Sequence, residues 1–283
     1  MFENIKEKLA QNSLLLESAL ADYYDFTDKD YALLLDAQRY GLLGGGKRIR
    51  AFLVLEICRL YGGDIKNAIP YACAIEMIHA SSLIHDDMPC MDDDDMRRGK
   101  PSTHKAYGET LALIAGDAMM TNAFEVVINN PNLDFITNAK ATSILAESTG
   151  NKGMLAGQAI DTVRGKDKLD FQTLVRLHKL KTGKLISASA KLGCLAAGVY
   201  ENDEKYQAAV KYAEDIGLAF QIIDDILDYQ DGKIEINSFV SFMPVDEAKE
   251  YASKLTQSGI ESIKNYDDGS LIELAHYLTV RDY

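Results

Sequence analysis

Proline is scarce in this chain, five in 283 residues, and alternating apolar–polar runs are scarce too. Few breaks and few period-two runs leave long helix-compatible stretches and predict an all-α fold. No apolar run is expected to reach the length that crosses a bilayer. The nearest, residues 111–127, carries Asp117 and Glu125 and reads as a buried core helix. The opening MFENIKEKLA is charged and amphipathic and lacks the apolar centre of a signal peptide. Cysteine is limited to Cys58, Cys73, Cys90 and Cys194, with no CxxC pair, which suits free thiols in a reducing cytoplasm. Positive charge is also short: 30 Lys and Arg face 43 Asp and Glu, a net charge of −13. That balance argues against nucleic acid and anionic membrane surfaces as partners. It also means that an anionic ligand would need a cation to mediate its binding.

What is present is a folding chain, 47% hydrophobic against 26% charged. No linker, repeat or low-complexity tract divides it, so one domain over 1–283 is expected. Helical spacing of apolar residues predicts helices near 3–20, 29–42, 47–61, 66–88, 107–129, 134–150, 171–198, 203–228 and 246–264. Turn signals separate them at Gly44-Gly45-Gly46, Gly62-Gly63, Asn129-Asn130-Pro131-Asn132 and Asp231-Gly232. Long helices with wide apolar faces pack as a bundle, and bundles build sites from side chains facing a central cavity.

Two carboxylate clusters carry the chemistry. The first, HDDMPCMDDDDMRRGK over 85–100, places Asp86 and Asp87 at the end of a strongly apolar helix. Pro89 should break the helix and let Asp92 fold back toward Asp86, which an unbroken helix would point elsewhere. The second, FQIIDDILD over 220–228, stacks Asp224 and Asp228 on one helical face, with Asp225 beside them. An acidic run is ordinarily a solvated surface. Two such clusters amid apolar residues point instead to bound cations, because buried carboxylates must be paired or coordinated. Aspartates without cysteine partners suit magnesium, which is commonly held by carboxylates and substrate phosphates together. His85 is expected to hydrogen-bond rather than ligate.

With these motifs placed, the chain resembles the trans-isoprenyl diphosphate synthases of the bacterial farnesyl and geranylgeranyl type. The first cluster matches their DDxxxxD motif followed by RRGKP, and the second matches FQxxDDxxD. The likeness extends through GGGKRIR (44–50), EMIHASSLIHDD (76–87), STHKAYGE, LIAGDAMM, GMLAGQAID (153–161) and HKLKTGKLI (178–186). The resemblance implies a bundle of long helices around a deep central cavity, and a homodimer. It implies Asp86, Asp92 and Asp224 as main metal ligands, supported by Asp87, Asp225 and Asp228, with three magnesium ions when substrate is bound. Lys47, Arg50, His79 and Arg98 would hold isopentenyl diphosphate, and Arg97 and Lys181 the allylic diphosphate. The carbonyls of Lys181 and Thr182 and the side chain of Gln221 would face the developing carbocation, with Gln158 and Asp161 nearby. Ser81, five residues before Asp86, would leave the cavity open for a twenty-carbon product, unless Met119, Phe124 or Met154 closes it. Read without the resemblance, Lys47, Arg48 and Arg50 are also an ordinary basic helix start. His79 is then a core histidine, and Gln158 with Asp161 a structural hydrogen-bonded pair.

The pattern departs from the family after Asp228. DYQDGKIEINSFVSFMP (228–244) stands where a longer loop with GKxxGxD and KxTYP is usual. Ile236 takes the lysine position and Lys233 is the candidate replacement. Without its basic residues the segment 229–241 is expected to stay mobile. The departure leaves open a catalytically weak partner subunit, and the shared helices and aspartates leave open a terpene cyclase-like enzyme. The basic set at Lys47, Arg50, His79 and Arg98 argues against the second.

Overall fold

The computed structural model describes residues 2–25, 28–43, 45–164, 167–232 and 235–279. Among them thirteen α-helices follow one another, with a single two-stranded hairpin between the fourth and fifth. The all-α expectation holds. The long helices are α1 (Glu3–Tyr23), α2 (Ala32–Leu42), α3 (Ile49–Leu60), α4 (Ile65–Asp86), α6 (Glu109–Ile128), α7 (Phe135–Thr149), α10 (Lys184–Ala196), α11 (Glu204–Gln230) and α12 (Val245–Ile263). Shorter ones are α5 (Thr103–Tyr107), α8 (Met154–Arg164), α9 (Phe171–His178) and α13 (Ser270–Thr279), and the hairpin pairs β1 (Met96–Arg97) with β2 (Lys100–Pro101).

Local chemistry explains the starts. Asp64, Asp134, Asp170 and Asp203 each accept a backbone N–H from the first turn of α4, α7, α9 and α11, which satisfies donors the helix itself cannot. The run Tyr71–Ile75 with Met77 and Ile78 is fully buried, so α4 is apolar all round and lies inside the bundle. Around it pack α3, α6 and α10. A second apolar cluster joins α3 and α10 to α11 and α13, and a third joins α9, α11 and α12 around Phe239.

Four sequence expectations change. The helix expected over 171–198 is two, joined by a π-turn at Lys179–Gly183. Helices α8 and α13 were not anticipated. α6 is long and apolar enough to cross a membrane by length and composition. It packs against α2, α4, α5 and α7, as a core helix does. The segment after Asp228 is anchored over 235–243, not free. Phe239 is fully buried among Phe171, Tyr251 and His178. Asn237 accepts from Leu169 N at 2.9 Å and donates to Asp167 O at 3.0 Å. Lys233 and Gly44 lie outside the described residues.

Candidate active site

The two halves of the first cluster separate at Pro89. α4 ends at Asp86, and the chain then turns so that Asp92 N donates to the Asp86 carbonyl at 2.9 Å. The predicted fold-back is therefore present. Consecutive helical residues point about 100° apart, and the pair Asp86-Asp87 divides accordingly. Asp86 lines a cavity of about 400 Å³. Asp87 is turned away, 2% exposed, and receives Arg97 Nε at 2.8 Å and Arg97 Nη2. Its carboxylate is engaged by Arg97 in this state, on the side away from the cavity. Arg97 also reaches Asp94 Oδ2 at 3.0 Å, so in this state its guanidinium belongs to the loop.

The second cluster divides in the same way. Asp224 and Asp228 are half-buried on one face of α11. Asp225 is buried and faces the other side. It accepts Gln221 Nε2 at 3.1 Å and Phe239 N at 2.8 Å. Burial and the nearby Glu235 and Asp224 raise its pKa to about 7 against those hydrogen bonds. In this state it anchors the following segment through the Phe239 N–H.

The same cavity is lined by Arg50, His79, Gln158, Lys181 and Thr182 among the expected residues, with Ser82, Met120, Met154 and Leu155. Arg50 is placed by a buried pair behind it. Arg48 sits in the left-handed region at φ 50° and meets Glu76 at 3.2 Å, and Glu76 Oε1 accepts Ala51 N at 3.2 Å. Glu76 thus ties the start of α3 to α4. Arg50 Nη1 then reaches His79 Nε2 at 3.3 Å. Burial, with Arg50, Arg98, Arg48 and Arg97 around it, holds His79 well below its usual pKa. The ring is neutral, so any contact it makes to an anion is a hydrogen bond and not an ion pair.

Arg98 also has positive φ, 52°, and donates to Gly45 O. Gly46 beside it has φ 121°, a conformation that calls for glycine, and its bare Cα leaves room for the Arg98 guanidinium. Lys47 is exposed, with its ammonium 5.6 Å from the Tyr277 ring.

The π-turn joins the clusters. Lys181 Nζ binds Asp161 Oδ2 at 2.5 Å. Burial alone would lower the Lys181 pKa, but Asp161, Asp86 and Asp92 outweigh it and raise it. Thr182 Oγ1 donates to Gln221 Oε1 at 3.2 Å, one turn before Asp224 and Asp225. A Cβ on Gly157 would collide with the Lys181 backbone, so α8 approaches the π-turn more closely than any other residue permits. π-turns commonly mark functional positions because the extra residue re-aims backbone groups. Nothing in KLKTG distinguishes it from ordinary helix by periodicity.

Two donors in the cavity wall, Arg50 Nε and Gln158 Nε2, are enclosed with no hydrogen-bond partner. Gln158 is therefore not paired with Asp161. Asp86 titrates at about 6, raised by burial and by Asp92 and Asp87, against the opposing pull of Lys181 and Arg97. A carboxylate so raised, with oxygen donors around it, fits a hard divalent cation, and the orphan donors fit an anion. His85 bonds Leu113 O at 3.3 Å and lies 3.5 Å from Asp117, the hydrogen-bonding role expected of it.

Ser81 is fully buried and donates to Ile78 O at 3.2 Å. Five residues is about 500° of helix, 140° away from Asp86, so Ser81 turns into the core while Ser82 lines the cavity. Rise along α4 brings Ser81 to the expected depth, but rotation turns it away from the cavity. Of the bulky alternatives, Met154 lines the cavity, whereas Met119 and Phe124 pack in the core. Met88, Cys90 and Met91 also line it and carried no sequence signal beyond adjacency to Asp86.

The polyprenyl synthetase family profile matches residues 31–238. The chloroplastic geranylgeranyl pyrophosphate synthase of Capsicum annuum is 38% identical over 90% of this chain and 73% of its own. The dimethylallyltranstransferase of Fischerella ambigua is 36% identical over 99% of this chain and 84% of its own. The crystal structure of an FPP/GFPP synthase from Zymomonas mobilis superposes with a TM-score of 0.91 at 35% identity, covering 99% of this chain and all of that one. With the two carboxylate clusters, the π-turn and the basic wall in place, the chain belongs to the polyprenyl synthetase family.

Proposed function

We propose that this protein is a short-chain trans-prenyltransferase that condenses isopentenyl diphosphate with allylic diphosphates to make farnesyl and geranylgeranyl diphosphate. The observation that carries the reading is the composition of one cavity. Asp86 and Lys181 meet the orphan donors of Arg50 and Gln158 there, and Met120, Met154 and Leu155 supply an apolar wall.

The allylic C–O bond breaks with its electron pair leaving on the diphosphate, so the negative charge that develops must be stabilised. Asp86 and Asp92, with Asp224 and Asp228, would hold Mg²⁺, three ions when both substrates are bound, and Mg²⁺ supplies the charge that takes up the leaving diphosphate. Lys181 and Arg97 add cationic contacts on that side. Arg50, Arg98 and Lys47 hold the second diphosphate, with neutral His79 as hydrogen-bonding partner. The carbonyls of Lys181 and Thr182 and the oxygen of Gln221 face the allylic cation, and the apolar wall excludes water that would capture it. The double bond of isopentenyl diphosphate supplies the electrons for the new C–C bond, and a proton passes to the departed diphosphate.

The chain is proposed to act as one domain, in the cytoplasm, where its free cysteines stay reduced. A homodimer is supported by the exposed Leu113 and Ile114 on α6, each 47% exposed, and sedimentation velocity tests it. Labelled isopentenyl diphosphate with allylic primers of graded length tests the activity. Incorporation without any partner is expected. Dependence on an added synthase would favour the partner subunit that the short 229–244 segment suggests, and hydrocarbon formed without isopentenyl diphosphate would favour a cyclase.

Geranylgeranyl diphosphate is the proposed main product. Ser82→Tyr should shorten it to fifteen carbons. Ser81→Tyr should instead overpack the core and lower stability by about 1–3 kcal/mol. Chromatography of the dephosphorylated alcohols distinguishes them, and a product unchanged in Ser82→Tyr places the floor elsewhere.

A further inference from the structure

Three donor groups outside the cavity converge at the base of the β1–β2 hairpin. Asp93 and Asp95 precede β1 and are exposed, and His104 lies in α5 just after β2. One carboxylate oxygen of each aspartate and a ring nitrogen of His104 lie within 4.8 Å of one another. The histidine is 5% exposed, so it is held by its surroundings and not by solvent. Its Nδ1 meets Ser102 Oγ at 3.0 Å, while its Nε2 is enclosed and has no partner. An enclosed imidazole nitrogen without a partner forfeits the hydrogen bond it would make in water, and a carboxylate pair beside it adds repulsion. Both costs are relieved by a cation that accepts nitrogen and oxygen together.

We propose that Asp93, Asp95 and His104 form a site for one borderline divalent transition-metal ion, of the Zn²⁺, Co²⁺ or Ni²⁺ kind, separate from the carboxylates assigned to Mg²⁺. Imidazole with two carboxylates favours these ions over Mg²⁺, which prefers oxygen and water. Tetrahedral ligands about 2.1 Å from a metal are about 3.4 Å apart, so closing on an ion asks the exposed carboxylates to move by about 1.4 Å at most. Ser102 fixes the ring by its Nδ1 contact, as outer partners of metal-bound histidines commonly do. Lys105 Nζ, 2.7 Å from Asp95 Oδ1, neutralises part of the charge in the metal-free chain and competes with the dication. An ion held here closes the base of the hairpin that carries Arg97 and Arg98.

The test is a Co²⁺ titration of the untagged full chain in a large excess of Mg²⁺, followed by visible absorption. One equivalent is expected to bind with ligand-field bands. Its affinity should fall about tenfold or more in Asp93→Asn and in His104→Gln, and remain unchanged in Asp94→Asn. If His104→Gln does not fold, the exposed Asp93→Asn decides. Absence of Co²⁺ binding under excess Mg²⁺ overturns the site. So does binding that survives the ligand variants, or binding weakened equally by Asp94→Asn.

Discussion

The pair Asp86-Asp87 ends a helix and the pair Asp224-Asp225 lies inside one, yet the two are divided alike. In each pair the first carboxylate stays on the side assigned to metal. The second is buried and binds the segment that follows: Asp87 takes Arg97 of the hairpin, and Asp225 takes the N–H of Phe239. The difference is in what each segment offers. After Asp87 the chain is exposed and charged, and it is held by backbone contacts such as Asp94 N to Asp87 O at 3.2 Å. After Asp225 the turn at 229–232 is exposed, and the hold comes further on, where buried Phe239 stacks on His178 with ring centroids 5.2 Å apart. In both pairs the roughly 100° between neighbouring helical residues sends the two carboxylates to different sides.

The comparison breaks most sharply on activity. Asp86→Ala and Asp224→Ala are expected to cost at least about 10²–10³ in kcat, the scale of losing one stabiliser of developing charge, while circular dichroism stays native. Asp87→Asn and Asp225→Asn should keep measurable turnover. Substantial activity in the first pair with Mg²⁺ present, or an equal loss in all four, would end the division.

Next in size is the division between diphosphate sites. Arg50→Ala removes a charge-assisted contact of about 1.5–3 kcal/mol, which is roughly 10- to 150-fold. The rise should fall on the KM for isopentenyl diphosphate and largely spare that for the allylic primer. Equal effects on both would place Arg50 between the sites.

The scaffold half of each pair gives a smaller effect, read in stability. Asp225→Ala leaves the Phe239 N–H and Gln221 Nε2 without their acceptor and should cost about 1–3 kcal/mol. Asp87→Ala should cost less, because the Arg97 side chain is 34% exposed and can be hydrated. Denaturant titration in the absence of divalent ions ranks them, and the reverse order would mean that the hairpin, not the Phe239 segment, is the tighter anchor.

How much of this was legible follows from range. Pro89 breaking α4 and turning Asp92 back is a local rule, and the helices carried by long apolar periodicity were placed within a few residues. The family resemblance rests on motifs that read in order along the chain. The partition of the pairs was also legible, since it needs only the helical angle, and the same angle would have turned Ser81 inward. The π-turn was not, because KLKTG has no helix-breaking signal before Gly183. Nor was the anchoring of 235–243: Asp225, His178, Phe171 and Tyr251, distant in sequence, must meet before Phe239 has a place. Helix α8 escaped because it is short and Gly157 interrupts its apolar period, and that glycine is explained only by the backbone of Lys181 against it.

The smallest expected effect tests the buried contact between Asp225 and His178, whose Oδ2 and Nε2 are 3.9 Å apart. Burial lowers the His178 pKa to about 4 in the folded chain, Asp161 opposing and Lys181 assisting. The unfolded histidine takes a proton near 6.5. Between those values the unfolded state binds more protons, so this residue's contribution is intact above about 6.5 and is lost as pH falls toward 4. Asp225 has the opposite sign. Its folded pKa of about 7 lies above the unfolded value, so the folded state gains on acidification through 7. From pH 6.5 to 5.5 each change is about 1 kcal/mol, and in the wild type they offset. Asp225→Asn should therefore lose stability over that interval relative to the wild type, and His178→Asn should gain it, both measured by urea unfolding with chelator present. Parallel pH profiles in all three proteins would mean that neither group is held as the geometry indicates, and that Phe239 is retained by packing alone.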